Sequence, residues 1–165
     1  MKKKILNTSL SICLVFFIAC GGGDGTSPEQ ATGEVKSMFE KEDNQSDVPA
    51  SKRITLNDKG VGQIQDLSLP EEIDQTMALA GAELFKTNCT ACHKIEERFI
   101  GPSPKGILQR RSPEWIMNMI LDPQLMVSED RCAKDLLVEF NGAAMANQNM
   151  TVEQARSILE YFRTL

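Results

Sequence analysis

The chain is short of histidine, of aromatic residues and of long apolar runs, and each shortage excludes something. One histidine, His93, occurs in 165 residues. No zincin, two-His zinc finger or bis-His metal centre can be built within such a chain. Aromatic residues make up 5% of it, so a packed domain has little large apolar material for its core. The longest apolar run, Ile12–Ala19, falls well short of the roughly 20 residues that a membrane helix needs. The formal net charge of −5 offers no electrostatic case for binding nucleic acid. Five cysteines are odd in number and too few for a disulfide-dense scaffold. The remaining composition, at 41% hydrophobic, suits one domain of ordinary size with extensions.

Lys2, Lys3 and Lys4 precede the apolar stretch, the pattern of a secretion signal over residues 1–19. The sequence Phe17-Ile18-Ala19-Cys20, followed by three glycines, resembles a bacterial lipobox. That resemblance implies cleavage before Cys20 and its lipidation, although Phe17 stands where Leu is usual. The alternative is an ordinary signal with an incidental cysteine. Residues 20–70 read as a flexible linker, with the Gly-rich and polar GGGDGTSPEQATGE and the charge run EKEDNQSD. As a random coil, 50 such residues reach roughly 40 Å. The last part, KGVGQIQDLSLP, is richer in Val, Ile and Leu and could pack on the domain downstream of it.

Residues 71–165 carry helical periodicity and no sustained strand alternation. Asp74 is a predicted N-cap, with Met77, Ala80, Gly81, Leu84 and Phe85 at helical spacing toward Asn88. Ser112-Pro113-Glu114-Trp115 predicts a second start, ended by Asp122-Pro123. A third helix is predicted from near Ser128–Asp130 to Asn141-Gly142. Thr151-Val152-Glu153-Gln154 is a capping-box pattern opening the last, with Ala155, Ile158, Leu159 and Phe162 on one stripe. The expected fold is all-α. Four helices with few aromatics leave room for something else at the centre.

Cys89-Thr90-Ala91-Cys92-His93 is a C-x-x-C-H sequence, the attachment signature of c-type haem. One helical turn brings sulfurs at i and i+3 to one face, where both can bond the vinyl carbons of one porphyrin. His93 follows on the same side and can reach the iron. Three other readings compete. A thioredoxin-type redox pair needs a βαβ context, which the sequence lacks. A zinc site would need Cys132 as fourth ligand beside Cys89, Cys92 and His93. A Cys89–Cys92 disulfide would leave His93 without a role.

The stretch from about Lys59 to Leu165 resembles a bacterial class I monohaem cytochrome c. Gly81-Ala82-Glu83-Leu84-Phe85 resembles the family's G-x-x-x-F/Y element, and Gly101-Pro102 its G-P segment. Arg111–Trp115 resembles the start of its middle helix, and Met145–Thr151 the run before its last helix. The resemblance implies a small helical domain around one covalently attached haem, preceded by a flexible tether. It implies that the Pro102 carbonyl accepts the His93 N–H, which strengthens the imidazole as a donor. It places the sixth ligand at Met145 and a packing residue at Met150, with Met150 held in reserve. Met77, Met117 and Met119 fall in helices and read as core; Met126 reads as a loop residue. Ala146 departs from the family's Pro.

Trp115 is either a core anchor or a donor to a haem propionate. Between residues 86 and 111, six basic residues outnumber two acidic ones, giving either a solvated charged face or a docking patch for an acidic redox protein. Cys132 reads as an unpaired small residue on a helix face. The implied function is electron transfer, not catalysis. The carrier would be periplasmic, held to the inner or outer membrane by lipid, and would run between a respiratory donor and a terminal oxidase or reductase. A haem sensor or small catalyst with a labile sixth ligand is the alternative. A third possibility is a subunit fixed in a larger reductase.

Overall fold

The structure, a computed structural model, describes residues 47–165. The predicted export signal, Cys20 and the first part of the predicted linker lie outside the described residues. Five α-helices are present among them: α1 (Gln75–Asn88), α2 (Pro113–Leu121), α3 (Pro123–Glu129), α4 (Arg131–Glu139) and α5 (Val152–Phe162). No strand occurs among the described residues; one isolated parallel bridge joins Thr55 to Arg111. The all-α expectation holds.

Each helix starts on a side chain that accepts a backbone N–H its first turn would otherwise leave unpaired. Asp74 accepts from Met77, Ser112 from Trp115, and Asp130 from Ala133. Thr151 and Gln154 complete the predicted capping box. At the far end of α4, Asn141 and Gly142 take positive φ, and their N–H groups bond the carbonyls of Val138 and Leu137.

Helix α3 is the element that periodicity alone does not predict. Asp122-Pro123 ends α2 as expected, but Asp122 also caps a new helix by accepting from Leu125 N. Pro123 at the first position lacks only an N–H that would have had no helical partner. Met126 is therefore not a loop residue. It lies within α3 and is completely buried. Ser128 and Glu129 finish α3, and Asp130 alone opens α4.

Helices α1 and α5 cross closely. A Cβ on Gly81 would lie 1.9 Å from the Ser157 carbonyl oxygen, so only glycine permits this approach. One turn on, the Phe85 ring sits 5.7 Å from Phe162, edge to face, and 5.7 Å from Tyr161. Beside the crossing, Glu160 is fully buried. It accepts from Asp74 N at 2.8 Å and pairs with Arg156 and with Arg163. Burial pushes its carboxyl up, but the Arg156 bond, the Asp74 N–H and the two guanidinium charges outweigh that and hold it below the ordinary value.

The packed part extends upstream of residue 71, the expected end of the linker. Ala50 is buried in the core, and Val61, Ile64, Leu67 and Leu69 lie against it. Asn118, 1% exposed, fixes the backbone there. Its Oδ1 accepts from Ile64 N at 3.0 Å, and its Nδ2 donates to Lys59 O at 3.0 Å and Ile64 O at 2.8 Å. The segment's apolar residues explain why it packs, but their spacing follows neither helix nor strand, so periodicity could not reveal it.

Candidate functional site

Helix α1 ends at Asn88, and Cys89 caps it by donating to Phe85 O. The chain then turns tightly, with Cys92 N and His93 N both bonding the Cys89 carbonyl at 3.0 and 2.8 Å. This turn brings Cys89, Cys92 and His93 to the wall of one crevice. The crevice holds about 1430 Å3 of space not filled by protein, part of it open to solvent. Its inner wall is apolar: Phe85 and Phe162 from the α1/α5 crossing, Ile116 from α2, Leu136 from α4 and Ile158 from α5.

His93 Nδ1 donates to the Pro102 carbonyl at 2.8 Å. A donating Nδ1 leaves Nε2 as the nitrogen with a lone pair for a metal. Gly101 closes over the imidazole; a Cβ there would stand 2.5 Å from His93 Cε1. The loop is tied back by Gly101 N to Cys92 O at 2.8 Å. Burial, followed by the neighbouring Cys92, pushes the Cys89 thiol up to about 11, so it is a neutral thiol at physiological pH. Both sulfurs are free, Cys92 being the more exposed.

Met145 also lines the crevice, on the irregular segment between α4 and α5. Met150 lines it too, but packs on the core cluster beside the start of α5. Met119 reaches the same wall from α2, whereas Met117 and Met126 are buried elsewhere. An apolar crevice with two thiols at one edge, an oriented imidazole and a half-buried thioether fits a covalently held porphyrin with its iron. Imidazole and thioether are donors that suit haem iron.

The remaining candidates fall outside this chemistry. Cys132 is buried on α4 and is not among the crevice walls. Its thiol is raised above its ordinary value chiefly by burial. No group of three or more His, Cys, Asp or Glu side chains gathers as a metal site among the described residues, which removes the zinc reading. Trp115 is a core anchor, 3% exposed, and its indole N–H donates to Asp130 Oδ1 at 3.1 Å, so it is not left for a propionate. The basic window is no open positive face. Lys86, Lys94, Lys105 and Arg98 each face a carboxylate: Glu83, Glu97, Glu96 and Glu139. Arg110 and Arg111 turn inward to line the crevice and donate to main-chain carbonyls. Composition alone makes this pair surface charge. Gly101 stands out in the sequence only as part of a motif, and its pressure on the His93 ring is visible only in three dimensions.

Comparison with known proteins agrees with this geometry. The family described as "Cytochrome c" matches residues 78–165, more than half of the chain. A cytochrome c from Rhodothermus marinus superimposes with a TM-score of 0.60 at 43% identity, covering 62% of this chain and 88% of that one. An engineered form of it, bound to a carbene intermediate, gives 0.58 at the same identity and coverage. A cytochrome c-553-like protein of Synechocystis is 36% identical over 58 residues, 32% of this chain. The chain spans about half the length of that relative, 55%.

Proposed function

Since the chain belongs to the cytochrome c family, as a class I monohaem member with covalently attached c-type haem, we propose that Cys89 and Cys92 would bond the porphyrin through two thioethers and that His93 Nε2 and Met145 would hold its iron. The haem supplies a one-electron couple. The residues of the chain do the rest. Pro102 accepts the His93 Nδ1–H and fixes the tautomer and ring angle, while Gly101 limits rotation of the ring. The apolar walls from α1, α2, α4 and α5 keep water from the inner face. Met145 is favoured over Met150 because Met150 is already engaged by the core. His93 and Met145 would hold the iron between them, and the haem would supply one-electron transfer rather than a site for substrate.

The observation that carries this reading is the His93–Pro102 bond set in the same apolar crevice as both cysteines and Met145. We extend it to a periplasm-facing carrier, lipidated at Cys20 and tethered through the linker downstream of that cysteine. Its partners would be a respiratory electron donor and a terminal oxidase or reductase. The lipobox resemblance at Cys20 makes lipid the anchor proposed. The test is a visible spectrum and an intact mass of the mature protein made in cells with the maturation machinery. The expected result is one added haem, a diacylglyceryl mass at Cys20, and a sulfur-to-iron charge-transfer band in the oxidised form. Met145→Ala should abolish that band and Met150→Ala should keep it. High-spin iron with rapid CO uptake in the wild type would instead favour the sensor reading.

A further inference from the structure

Among the described residues, basic side chains outside the crevice wall are paired with carboxylates, with three exceptions: Lys52, Arg131 and Lys134. All three are exposed, and all three belong to one face. That face is built from α4 and from residues 48–58, which run alongside it in the opposite direction. Ser51 N and Oγ donate to Glu139 at 2.8 and 2.6 Å, Arg53 pairs with Asp135, and the Asp58 carboxyl reaches Asp130, the cap of α4.

From Lys52 to Leu56 the side chains alternate between inside and outside. Arg53 turns to Asp135 and the Thr55 hydroxyl is buried, so Lys52, Ile54 and Leu56 face outward. On α4, Arg131, Lys134 and Val138 share the outer stripe at i, i+3 and i+7. Ile54 is 58% exposed, Leu56 50% and Val138 77%. Asp135 and Glu139, the carboxylates within the face, are taken up by Arg53, Ser51 and Arg98. Exposed Asp47 and Glu129 at its ends do not outnumber the three cations. An acidic chain thus gathers its unpaired outward cations around exposed apolar side chains.

We propose that this face docks the domain on an anionic phospholipid surface, with Ile54, Leu56 and Val138 entering the headgroup layer and Lys52, Arg131 and Lys134 meeting lipid phosphates. Apolar side chains set among cations are the combination that such a surface binds. The described residues begin at Asp47, so the chain leading back to Cys20 joins the domain beside Val48, another exposed apolar residue at the edge of this face. Twenty-seven residues separate Cys20 from Val48, a coil reach of about 30 Å. A domain held that near a bilayer meets it at high effective concentration. For this tether the inference rests on the lipid anchor proposed at Cys20. The other side of α4 gives Leu136 and Leu137 to the crevice, so docking leaves the crevice on the side of α4 away from lipid. The redox site is then presented to membrane partners in one orientation.

The experiment uses the full-length, lipidated holoprotein in its reduced form, with a nitroxide spin label on Val138→Cys. Cys132 is buried, and wild type treated alike is the blank. The protein is reconstituted in vesicles of phosphatidylcholine alone or with phosphatidylglycerol added. On the phosphatidylglycerol vesicles the label should gain collisions with oxygen and lose them with an aqueous nickel complex. A label on Leu79→Cys, exposed on α1, should stay aqueous on both. Adding Lys134→Gln should lower the ratio of docked to free label about fivefold, the effect of one cation at an anionic surface. High salt should lower it too. Leu56→Ser should lower it at constant charge. These positions are exposed, and an unchanged visible spectrum and melting curve verify the fold of each variant. A Val138→Cys label as aqueous as the Leu79→Cys label on phosphatidylglycerol vesicles overturns the proposal and leaves the face to an acidic protein. An unmoved ratio in Lys134→Gln overturns the electrostatic part, and one in Leu56→Ser the apolar part. A mature protein without the diacylglyceryl mass overturns the anchor reading instead. The labelled holoprotein is then added to vesicles from solution, and failure to sediment with those containing phosphatidylglycerol overturns the docking face as well.

Discussion

Gly81→Ala sets two effects of opposite sign against each other, and the structure says which wins. In an isolated helix alanine is favoured over glycine by about 1 kcal/mol, because glycine loses more backbone freedom on folding. In this molecule the new Cβ would stand 1.9 Å from Ser157 O, 2.5 Å from Ser157 C and 2.9 Å from Ile158 N. These are main-chain atoms in the middle of α5, so no side chain can swing aside. Reaching ordinary contact at 3.4 Å requires the helices to part by about 1.5 Å. Parting them also disturbs the Phe85–Phe162 and Phe85–Tyr161 contacts just beyond the crossing. Overpacking of this kind costs about 3 kcal/mol, the upper end of the usual range, because backbone must move. The net loss is therefore about 2 kcal/mol, and for a domain of this size the melting temperature should fall by roughly 10 °C. Thermal unfolding of the holoprotein, followed by far-ultraviolet circular dichroism, measures it. The two helices also supply Phe85, Phe162 and Ile158 to the crevice, so the visible spectrum should broaden in the same variant. A melting temperature at or above wild type would mean that helix propensity dominates and would refute the close crossing.

Three further perturbations test other contacts. Glu160→Gln should destabilise by about 3 kcal/mol at neutral pH, since it leaves Arg156 and Arg163 without their buried carboxylate while keeping an acceptor for Asp74 N. The Glu160 carboxyl lies below its ordinary value of 4.5, so its contribution is complete above that pH and is lost as pH falls through the lower folded value. Urea titrations should accordingly find the gap between variant and wild type constant above about pH 6 and closing below about pH 4.5; a gap that widens in acid contradicts the assignment. Asn118→Ala removes three hydrogen bonds to the upstream segment and should cost about 2 kcal/mol, with amide exchange of Val61–Ile64 quickening before that of the helices. Equal protection in both proteins would show that the apolar contacts alone hold the segment. Gly101→Ala should press the His93 ring off the Pro102 carbonyl and raise the high-spin fraction in the visible spectrum at unchanged helicity. An unaltered spectrum would refute the packing role given to Gly101.

The features legible in the sequence are those that depend on neighbours along the chain. Caps act over three residues, so Asp74, Ser112 and Thr151 mark their helices correctly. The C-x-x-C-H turn is equally local, whereas the bond from His93 to Pro102, nine residues on, is implied only by the family resemblance. Helix α3 is hidden because Asp122-Pro123 is a stop and a start at once, and the stop is the more familiar meaning. Met126 is misplaced with it.

The illegible part is where partners are far apart in sequence. The carbonyls that hold Arg111 lie 58 and 61 residues upstream, in a stretch whose composition reads as tether. Charged residues are mostly exposed, so a run rich in Lys and Arg is read as surface unless something local argues otherwise. Nothing local distinguishes Arg111 from Lys105, yet one is buried in the wall of the crevice and the other pairs with Glu96 in solvent. The distinction comes from residues 50–53, far upstream. They offer the carbonyls of Ala50 and Arg53, the first of which also accepts from Arg53 N at 3.3 Å, and a guanidinium with five donors can bond several carbonyls at once where an ammonium could not match the geometry. The burial of Arg111 thus rests largely on acceptors that only the folded chain brings to it.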